Sequence, residues 1–262
     1  MSGFFLKSVV CAMAAVAMSS CAGHTDESLS LAMAQSEMVR QADLDGLELL
    51  GVRRVAESSA DAALLAYAWA DANKQQTESS YMRAMLANEN VAYDDSTGLY
   101  LRRTVYDDTI THAWAIDNAR ILMYAVCLMS DAQATAPDSL RQTASRLANE
   151  IITMRDGKTG LWLHVMDSPA GDANVADATA SAMFTYALLK GSRTGVLPSD
   201  MKEEGLEAFS HYVEHFIRVG ETTGDGRNLL SIIGIHAQSG AEEVNAPDAI
   251  GAFLMACVEA EM

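Results

Sequence analysis

Two stretches of the chain share an acidic turn followed by Thr-Gly-Leu, an aromatic residue and Leu. They are YDDSTGLYLRR at 93–103 and MRDGKTGLWLHVMD at 154–167. A weaker third copy, TGDGRNLL, contains Gly226, and the three turns recur at a spacing of roughly 64 residues. Helix-period patterns separate the turns, so each repeat is predicted to be a pair of helices and a turn. One such hairpin buries little apolar surface, and successive hairpins must therefore pack side by side, as an open solenoid or a closed ring.

Helical periodicity dominates the rest of the chain, and strand-like alternation is scarce. We therefore expect an all-α protein of repeated helical hairpins, with Gly51 marking a candidate break in the second helix. In a closed ring the turns would gather at one end and bring Tyr100 and Trp162 to a single cleft. The predicted helices cover 28–41, 47–74, 79–90, 109–131, 137–154, 174–191, 200–218 and 246–261.

The N-terminus has the pattern of a bacterial lipoprotein signal over residues 1–20. Lys7 precedes a short apolar run at 8–18, and small residues lead into Cys21. Cleavage would make Cys21 the lipidated terminus, with residues 21–27 as a tether and 28–262 as a single domain. The expected location is the cell envelope, on its periplasmic or surface side, with the membrane contacted through the lipid alone. A general secretory signal with a chance cysteine is the alternative.

Charge and cysteine content narrow the possible partners. The formal charge is −17, from 18 basic and 35 acidic residues, which argues against binding to nucleic acid or to an anionic membrane surface.

Cys127 and Cys257 lie in apolar helical runs, which favours buried thiols and leaves a disulfide as the alternative. No Cys/His spacing indicates a metal site.

Four stretches resemble glycoside hydrolase families 88 and 105, the unsaturated rhamnogalacturonyl and glucuronyl hydrolases, which are built as six-hairpin (α/α) barrels. Residues 160–198 resemble the family's Gly-Leu-Trp to Lys-Gly run, and 244–261 its closing helix. HAWAIDNARILMYA at 112–125 is similar to the Trp-Ala-Arg-Gly-Asn helix, and 33–41 to the first helix. A complete barrel needs on the order of 360 residues at roughly 60 per hairpin. The chain has 262 residues, so we expect an incomplete barrel of about four hairpins.

The resemblance implies hydration of the C4–C5 double bond of an unsaturated uronic acid at the end of an oligosaccharide. A carboxylic acid protonates the alkene, water adds at C5, and the unstable hemiketal opens to release the next sugar. Such a site needs an acid of tuned pKa, a cation for the uronate carboxylate and aromatic side chains beside the ring. No cofactor and no metal are expected.

Asp61 and Asp117 are the candidate acids. Asp61 is the one counterpart we find for the family's essential aspartate, and Asp117 stands where the family has a glycine. A carboxylate in the first turn of a helix also stabilises the helix dipole, so a purely structural role is the alternative for both.

The resemblance also implies a set of candidate substrate-binding residues. The family's carboxylate-binding arginine corresponds to Ile116, so Arg102, which replaces a family histidine, or its neighbour Arg103 would supply the cation. A surface ion pair is the alternative for either arginine, and core packing or another structural role is the alternative for the aromatic residues and the histidine. The remaining candidates are Trp114, Asn118, Trp162 and His164; His164 and Asp177 stand where the family has glutamine and glutamate.

Two other functions are compatible with the sequence. The missing hairpins and the changes at 116 and 102 would suit a degenerate relative that binds sugar without turnover or has lost the site. A helix-repeat scaffold for protein partners is the third hypothesis. An incomplete barrel would leave a groove, and a second copy of the chain is a candidate to cover it.

Overall fold

The computed structural model describes residues 28–40, 46–58, 91–103, 111–132, 138–172, 174–222, 228–235 and 242–262. The predicted signal and tether with Cys21, the predicted helix 79–90, Asp61 and Gly226 lie outside these residues.

The described residues form seven helices and two small antiparallel sheets. The helices are α1 (Leu29–Arg40), α2 (Gly46–Ser58), α3 (Ala115–Ala132), α4 (Asp138–Thr153), α5 (Ala178–Arg193), α6 (Met201–Phe216) and α7 (Pro247–Glu261). The strands are β1 (Val91–Asp94), β2 (Leu99–Arg103), β3 (Thr111–His112), β4 (Ile217–Thr222), β5 (Asn228–Ile235) and β6 (Glu242–Val244). The predicted class of paired helices is confirmed. Gly51 lies inside α2, which runs through it without a break.

Four helices form an inner row in the order α3, α5, α7, α2, each packed against the next. Helix α4 packs on the outside of α3, and α6 on the outside of α5. The inner position of α5 is evident from its burial, because every residue from 178 to 191 is shielded from solvent. This two-layer arrangement of inner and outer helices is the one that repeated hairpins predict.

Two glycines allow α2 and α7 to meet backbone to backbone. A Cβ atom on Gly251 would lie 2.0 Å from the carbonyl oxygen of Leu47, and one on Gly51 would lie 2.5 Å from the carbonyl oxygen of Gly251 and 2.9 Å from the Cβ of Leu254. Leu47 thus lies against Gly251, and Gly51, one turn later in α2, reaches Leu254, which is later in α7. The two helices therefore run in the same direction. Any side chain at either position would force them apart.

The repeated turn is confirmed in its first two copies. Gly98 and Gly160 adopt positive φ angles of 72° and 68°, a conformation that favours glycine. In each copy the glycine N–H donates to the carbonyl oxygen of the turn's aspartate, at 2.8 Å for Asp94 and 2.7 Å for Asp156. The aspartate side chain also accepts from the turn's threonine hydroxyl in both copies. The same residues thus build the same turn before α3 and before α5.

Sheet structure is more extensive than the sequence predicted. Strands β1, β2 and β3 pair in that order before α3, and β4, β5 and β6 pair in that order between α6 and α7. The predicted helices 109–131 and 200–218 are consequently too long, because 111–112 and 217–218 belong to strands.

Both cysteines within the described residues, Cys127 and Cys257, are buried and are not joined in a disulfide. This agrees with the core role that their apolar surroundings favoured. No helix in the described ranges has the length and apolar character needed to cross a bilayer.

Candidate functional site

The candidate site lies at the N-terminal ends of the inner helices α3 and α5. Short extended segments precede both helices and pair with one another. The N–H of Ala115 donates to the carbonyl oxygen of His164 at 3.0 Å, and the N–H of His164 donates to that of Val175 at 2.9 Å. Strand β2 adds to the same edge, because Arg102 lies opposite His112 in the β2–β3 register. The fold therefore brings together residues that are more than sixty positions apart in sequence.

Asp117 is a deeply buried carboxyl group at the start of α3. Its side chain is 6% exposed, and its Oδ2 atom lies 2.7 Å from Nε of Arg102. The pair is an ionic contact without an aligned hydrogen bond, since neither atom makes one with a described residue. Burial raises the pKa of Asp117, although the charges of Arg102, Arg120 and His164 oppose that shift. A carboxyl group with these surroundings is suited to hold a proton and release it.

Trp114 occupies the centre of the group. The guanidinium of Arg102 lies over its ring, 5.0 Å from the centroid, and the ring of His164 meets it edge to face at 4.9 Å and 75°. His112 lies further away, at 6.4 Å, and is 3.3 Å from Asp167. The indole Nε1 is buried and has no hydrogen-bond partner among the described residues. Trp114 thus fixes the relative positions of Arg102 and His164.

A second arginine, Arg120, stands one turn beyond Asp117 on α3. It donates from Nη2 to Oδ2 of Asp248, in the first turn of α7, at 3.3 Å. Its Nε is buried and without a partner among the described residues. Arg120 therefore connects a third inner helix to the site, and it adds a second positive charge beside Asp117.

His164 and Asp177 form a hydrogen-bonded pair on the other side of Trp114. Nδ1 of His164 lies 3.2 Å from Oδ2 of Asp177, whose side chain is 1% exposed. The other oxygen of Asp177, Oδ1, accepts from the N–H of Ala180 at 2.8 Å and so caps α5. The predicted helix 174–191 began four residues too early, since Asp177 is the extended cap residue.

Two of the predicted substrate-binding residues are structural in this fold. Asn118 is fully buried, and its side chain forms hydrogen bonds with the backbone. It accepts from the N–H of Tyr100 and donates to the carbonyl oxygens of Tyr100 and Trp114, all at 2.8–2.9 Å. Trp162 is 0% exposed, donates to the carbonyl oxygen of Ile151 at 2.6 Å and packs on Phe184. These positions do not support the direct sugar contacts that we expected of them. Both residues hold the turn and the helix start in place.

The site also contains two residues that the sequence did not single out, namely Arg120 and Asp248. His112 and Asp167 lie outside it as a more exposed pair. Arg120 could have been noticed from its position three residues after Asp117 on a predicted helix, which places both on one face. Asp248 offered no such signal, because its partner is 128 residues away. Within the described residues no group of three or more His, Cys, Asp or Glu side chains is placed to hold a metal ion.

A model of the family described as Glycosyl Hydrolase Family 88 matches residues 60–262, which is well over half of the chain. The chain belongs to glycosyl hydrolase family 88. The match includes every described residue of the site, and it agrees with the resemblance found in the sequence.

Solved structures show the same fold. A family 105 glycoside hydrolase from C. acetobutylicum ATCC 824 superposes with a TM-score of 0.69 at 17% identity, over 90% of this chain and 99% of that one. A family 88 glycosyl hydrolase from Bacteroides vulgatus superposes with a TM-score of 0.50 at 16% identity, over 95% of this chain and 67% of that one. The first match extends over nearly the whole of both chains, whereas the second leaves a third of the Bacteroides protein without a counterpart.

A curated relative is the 24.9 kDa protein in the picA locus of Rhizobium radiobacter. It is 33% identical over 127 residues, covering 44% of this chain and 53% of that protein. The family 88 chain thus spans about half the length of the curated relatives it matches.

Proposed function

We propose that this family 88 protein hydrates the C4–C5 double bond of an unsaturated uronic acid at the end of an oligosaccharide. The observation that carries the proposal is Asp117: a buried carboxyl group with a raised pKa, in contact with Arg102, whose guanidinium lies over the ring of Trp114. Family membership supports a glycoside hydrolase. Asp117, Arg102 and Trp114 together supply an acid, a cation and an aromatic ring in one place.

In the proposed reaction the protonated carboxyl group of Asp117 donates its proton to C4 of the alkene. Water adds its oxygen to C5, and the hemiketal that forms opens and releases the next sugar. Burial favours the protonated form of Asp117, which is the form that the first step requires.

Arg102 would bind the carboxylate of the substrate in the same step. Its side chain is 32% exposed, so a ligand can reach it, and its Nε contacts Asp117. Protonation of Asp117 removes the negative charge from that contact. The guanidinium can then bind the uronate carboxylate, which is the charge it pairs with most strongly. Arg102 would thus replace the arginine that is absent at position 116.

The test is the loss of conjugated-alkene absorbance when the protein is mixed with unsaturated uronyl disaccharides, from both pectin-like and glycosaminoglycan-like polymers. Turnover by the wild type and a fall in kcat of roughly 10²- to 10⁴-fold in Asp117→Asn would support Asp117 as the acid. Asp138→Asn is the matched control, since Asp138 is also a first-turn carboxylate but is exposed on α4. Loss of activity in Asp61→Asn instead would transfer the role of acid to Asp61.

The rival function is a relative that binds the sugar without turnover. It predicts no decay of absorbance over the whole panel from protein with a helical circular dichroism spectrum. Retained binding of the same disaccharides in a calorimetric titration would then establish a carbohydrate-binding protein.

We also propose that the protein is tethered to the cell envelope by lipid on Cys21. The proposal rests on the signal-like pattern of residues 1–20. Metabolic labelling with a fatty acid should mark the wild type and leave Cys21→Ser unlabelled. Label in both proteins would contradict it.

A further inference from the structure

The backbone of His164 is held on both sides. Its carbonyl oxygen accepts from Ala115, just before α3, and its N–H donates to Val175, just before α5. Its ring packs edge to face against Trp114. Neither the main chain nor the ring plane can therefore shift without disturbing the starts of two inner helices.

Asp177 determines which ring nitrogen of His164 carries the proton. An ionised carboxylate only accepts hydrogen bonds, so the contact between Oδ2 and Nδ1 requires a hydrogen on Nδ1. The other carboxylate oxygen is already occupied by Ala180 N–H, which prevents the side chain from turning away. In the neutral ring, Nε2 is left with its lone pair.

Nε2 is accessible to a ligand. The side chain of His164 is 19% exposed, and Nε2 makes no hydrogen bond to a described residue and is not among the buried unpartnered atoms. His164 is also close enough for its charge to act on the carboxyl group of Asp117. The lone pair on Nε2 of His164 therefore has a fixed direction and lies near Asp117, the proposed acid. The ring of Trp114 contacts the His164 ring and holds it in this orientation.

Hydration across a double bond needs two groups, one that gives a proton to carbon and one that takes a proton from water. Asp117 meets the first need. We infer that His164 is the base that takes the water proton through Nε2, and that Asp177 is the residue that positions it; this inference rests on the proposed hydrolase function.

The hydration step involves two proton transfers. Asp117 gives its proton to C4, water gives its oxygen to C5 and one proton to Nε2 of His164, and the alkene π bond supplies the electrons of the new C4–H bond. Asp117 ends ionised and His164 ends protonated, with Asp177 stabilising the imidazolium at Nδ1. Proton exchange with solvent restores both groups, and no oxidant, reductant or further reactant is needed.

The first experiment measures kcat and KM for His164→Gln, Asp177→Asn and the matched control His112→Gln. His112 also lies beside Trp114 and pairs with an aspartate, but Asp167 is far more exposed than Asp177. We expect His164→Gln to lower kcat by roughly 10²- to 10⁴-fold with KM changed by no more than about threefold. Asp177→Asn should lower kcat by about tenfold or more and keep α5 folded, because asparagine also caps helices well. His112→Gln should leave kcat within about threefold of the wild type.

Chemical rescue separates catalysis from structure. Added imidazole should restore part of the kcat of His164→Ala, since a small base can occupy the space of the missing ring. A residue with only a structural role would show no rescue.

A second measurement does not depend on activity. In ¹⁵N-labelled protein at a pH where His164 is neutral, nuclear magnetic resonance should find the hydrogen on Nδ1, and Asp177→Asn should shift the population toward hydrogen on Nε2. A wild-type ring with its hydrogen on Nε2 would overturn the positioning role of Asp177.

The outcomes separate this inference from the proposed function. Turnover by the wild type, together with an unchanged kcat in His164→Gln, overturns the role of His164 and leaves the hydrolase standing. Absence of turnover by the wild type overturns both.

Discussion

The contact between α2 and α7 provides a quantitative test of the fold. In Gly251→Ala, the new Cβ would lie 2.0 Å from the carbonyl oxygen of Leu47, 2.1 Å from its carbonyl carbon and 2.4 Å from the amide nitrogen of Glu48. All three atoms belong to the backbone of α2, so no side chain can rotate to make room. Reaching an ordinary separation of about 3.5 Å requires the helices to move apart by roughly 1.5 Å.

The expected magnitude combines two opposing effects. Alanine is the better helix former, which contributes about 1 kcal/mol in favour of the variant. Overpacking costs about 1–3 kcal/mol, and the upper end applies because helix backbones must separate. The net expectation is a loss of about 2 kcal/mol in the free energy of unfolding. For a chain of this size that corresponds to a melting temperature lower by about 4–8 °C.

The assay is urea denaturation and thermal melting, followed by circular dichroism. Gly157→Ala serves as the control, because a Cβ at Gly157 would meet no atom within 4 Å. An unchanged or raised stability in Gly251→Ala would refute the close packing of α2 on α7, since helix propensity alone predicts that result.

Three further predictions concern the site. Because burial raises the pKa of Asp117, its carboxyl group contributes stability that is fully present below the unfolded-state pKa and is lost as pH rises through the folded-state pKa. The stability of Asp117→Asn relative to the wild type should therefore increase as pH rises from about 4, the ordinary pKa of an aspartate; melting curves with a constant difference would contradict this. Trp162→Phe should lower the free energy of unfolding by about 1–3 kcal/mol, as the carbonyl group of Ile151 loses its indole donor, without raising KM; a raised KM at full stability would restore a sugar-binding role. Asn118→Ala should cost about 1–3 kcal/mol in urea denaturation because the N–H of Tyr100 loses its acceptor, and stability equal to wild type would exclude that bond.

The repeated turn was predictable from sequence because its interactions are local. Asp156, Thr159 and Gly160 are neighbours along the chain, and each is of the residue type that the turn requires. The helix patterns were predictable for a similar reason, since burial of one face repeats with the helical period.

Strand β5 was not predicted because apolar residues lie on both of its faces, whichever face is buried. Leu230 and Ile232 are buried, while Leu229 and Ile233 on the opposite face are only partly covered. Apolar residues on both faces remove the alternation that would have indicated a strand.

The pairings within the site could not be read from sequence. Arg102 and Asp117 are joined by the β2 strand crossing the start of α3, and His164 reaches Asp177 because two extended segments pair before α5. Residue types suggested Arg102, Asp117 and His164 as candidates. Their partners depend on register, which only the folded chain determines.

The most direct test of the account is to run the reaction in D₂O, reduce the products at once with borohydride and examine them by mass spectrometry. Hydration with Asp117 as the acid predicts one solvent deuterium at C4 of the uronate fragment, and its formation should slow in Asp117→Asn. Release of the sugar with the alkene intact and C4 unlabelled would contradict the account, because it would mean direct cleavage of the glycosidic bond.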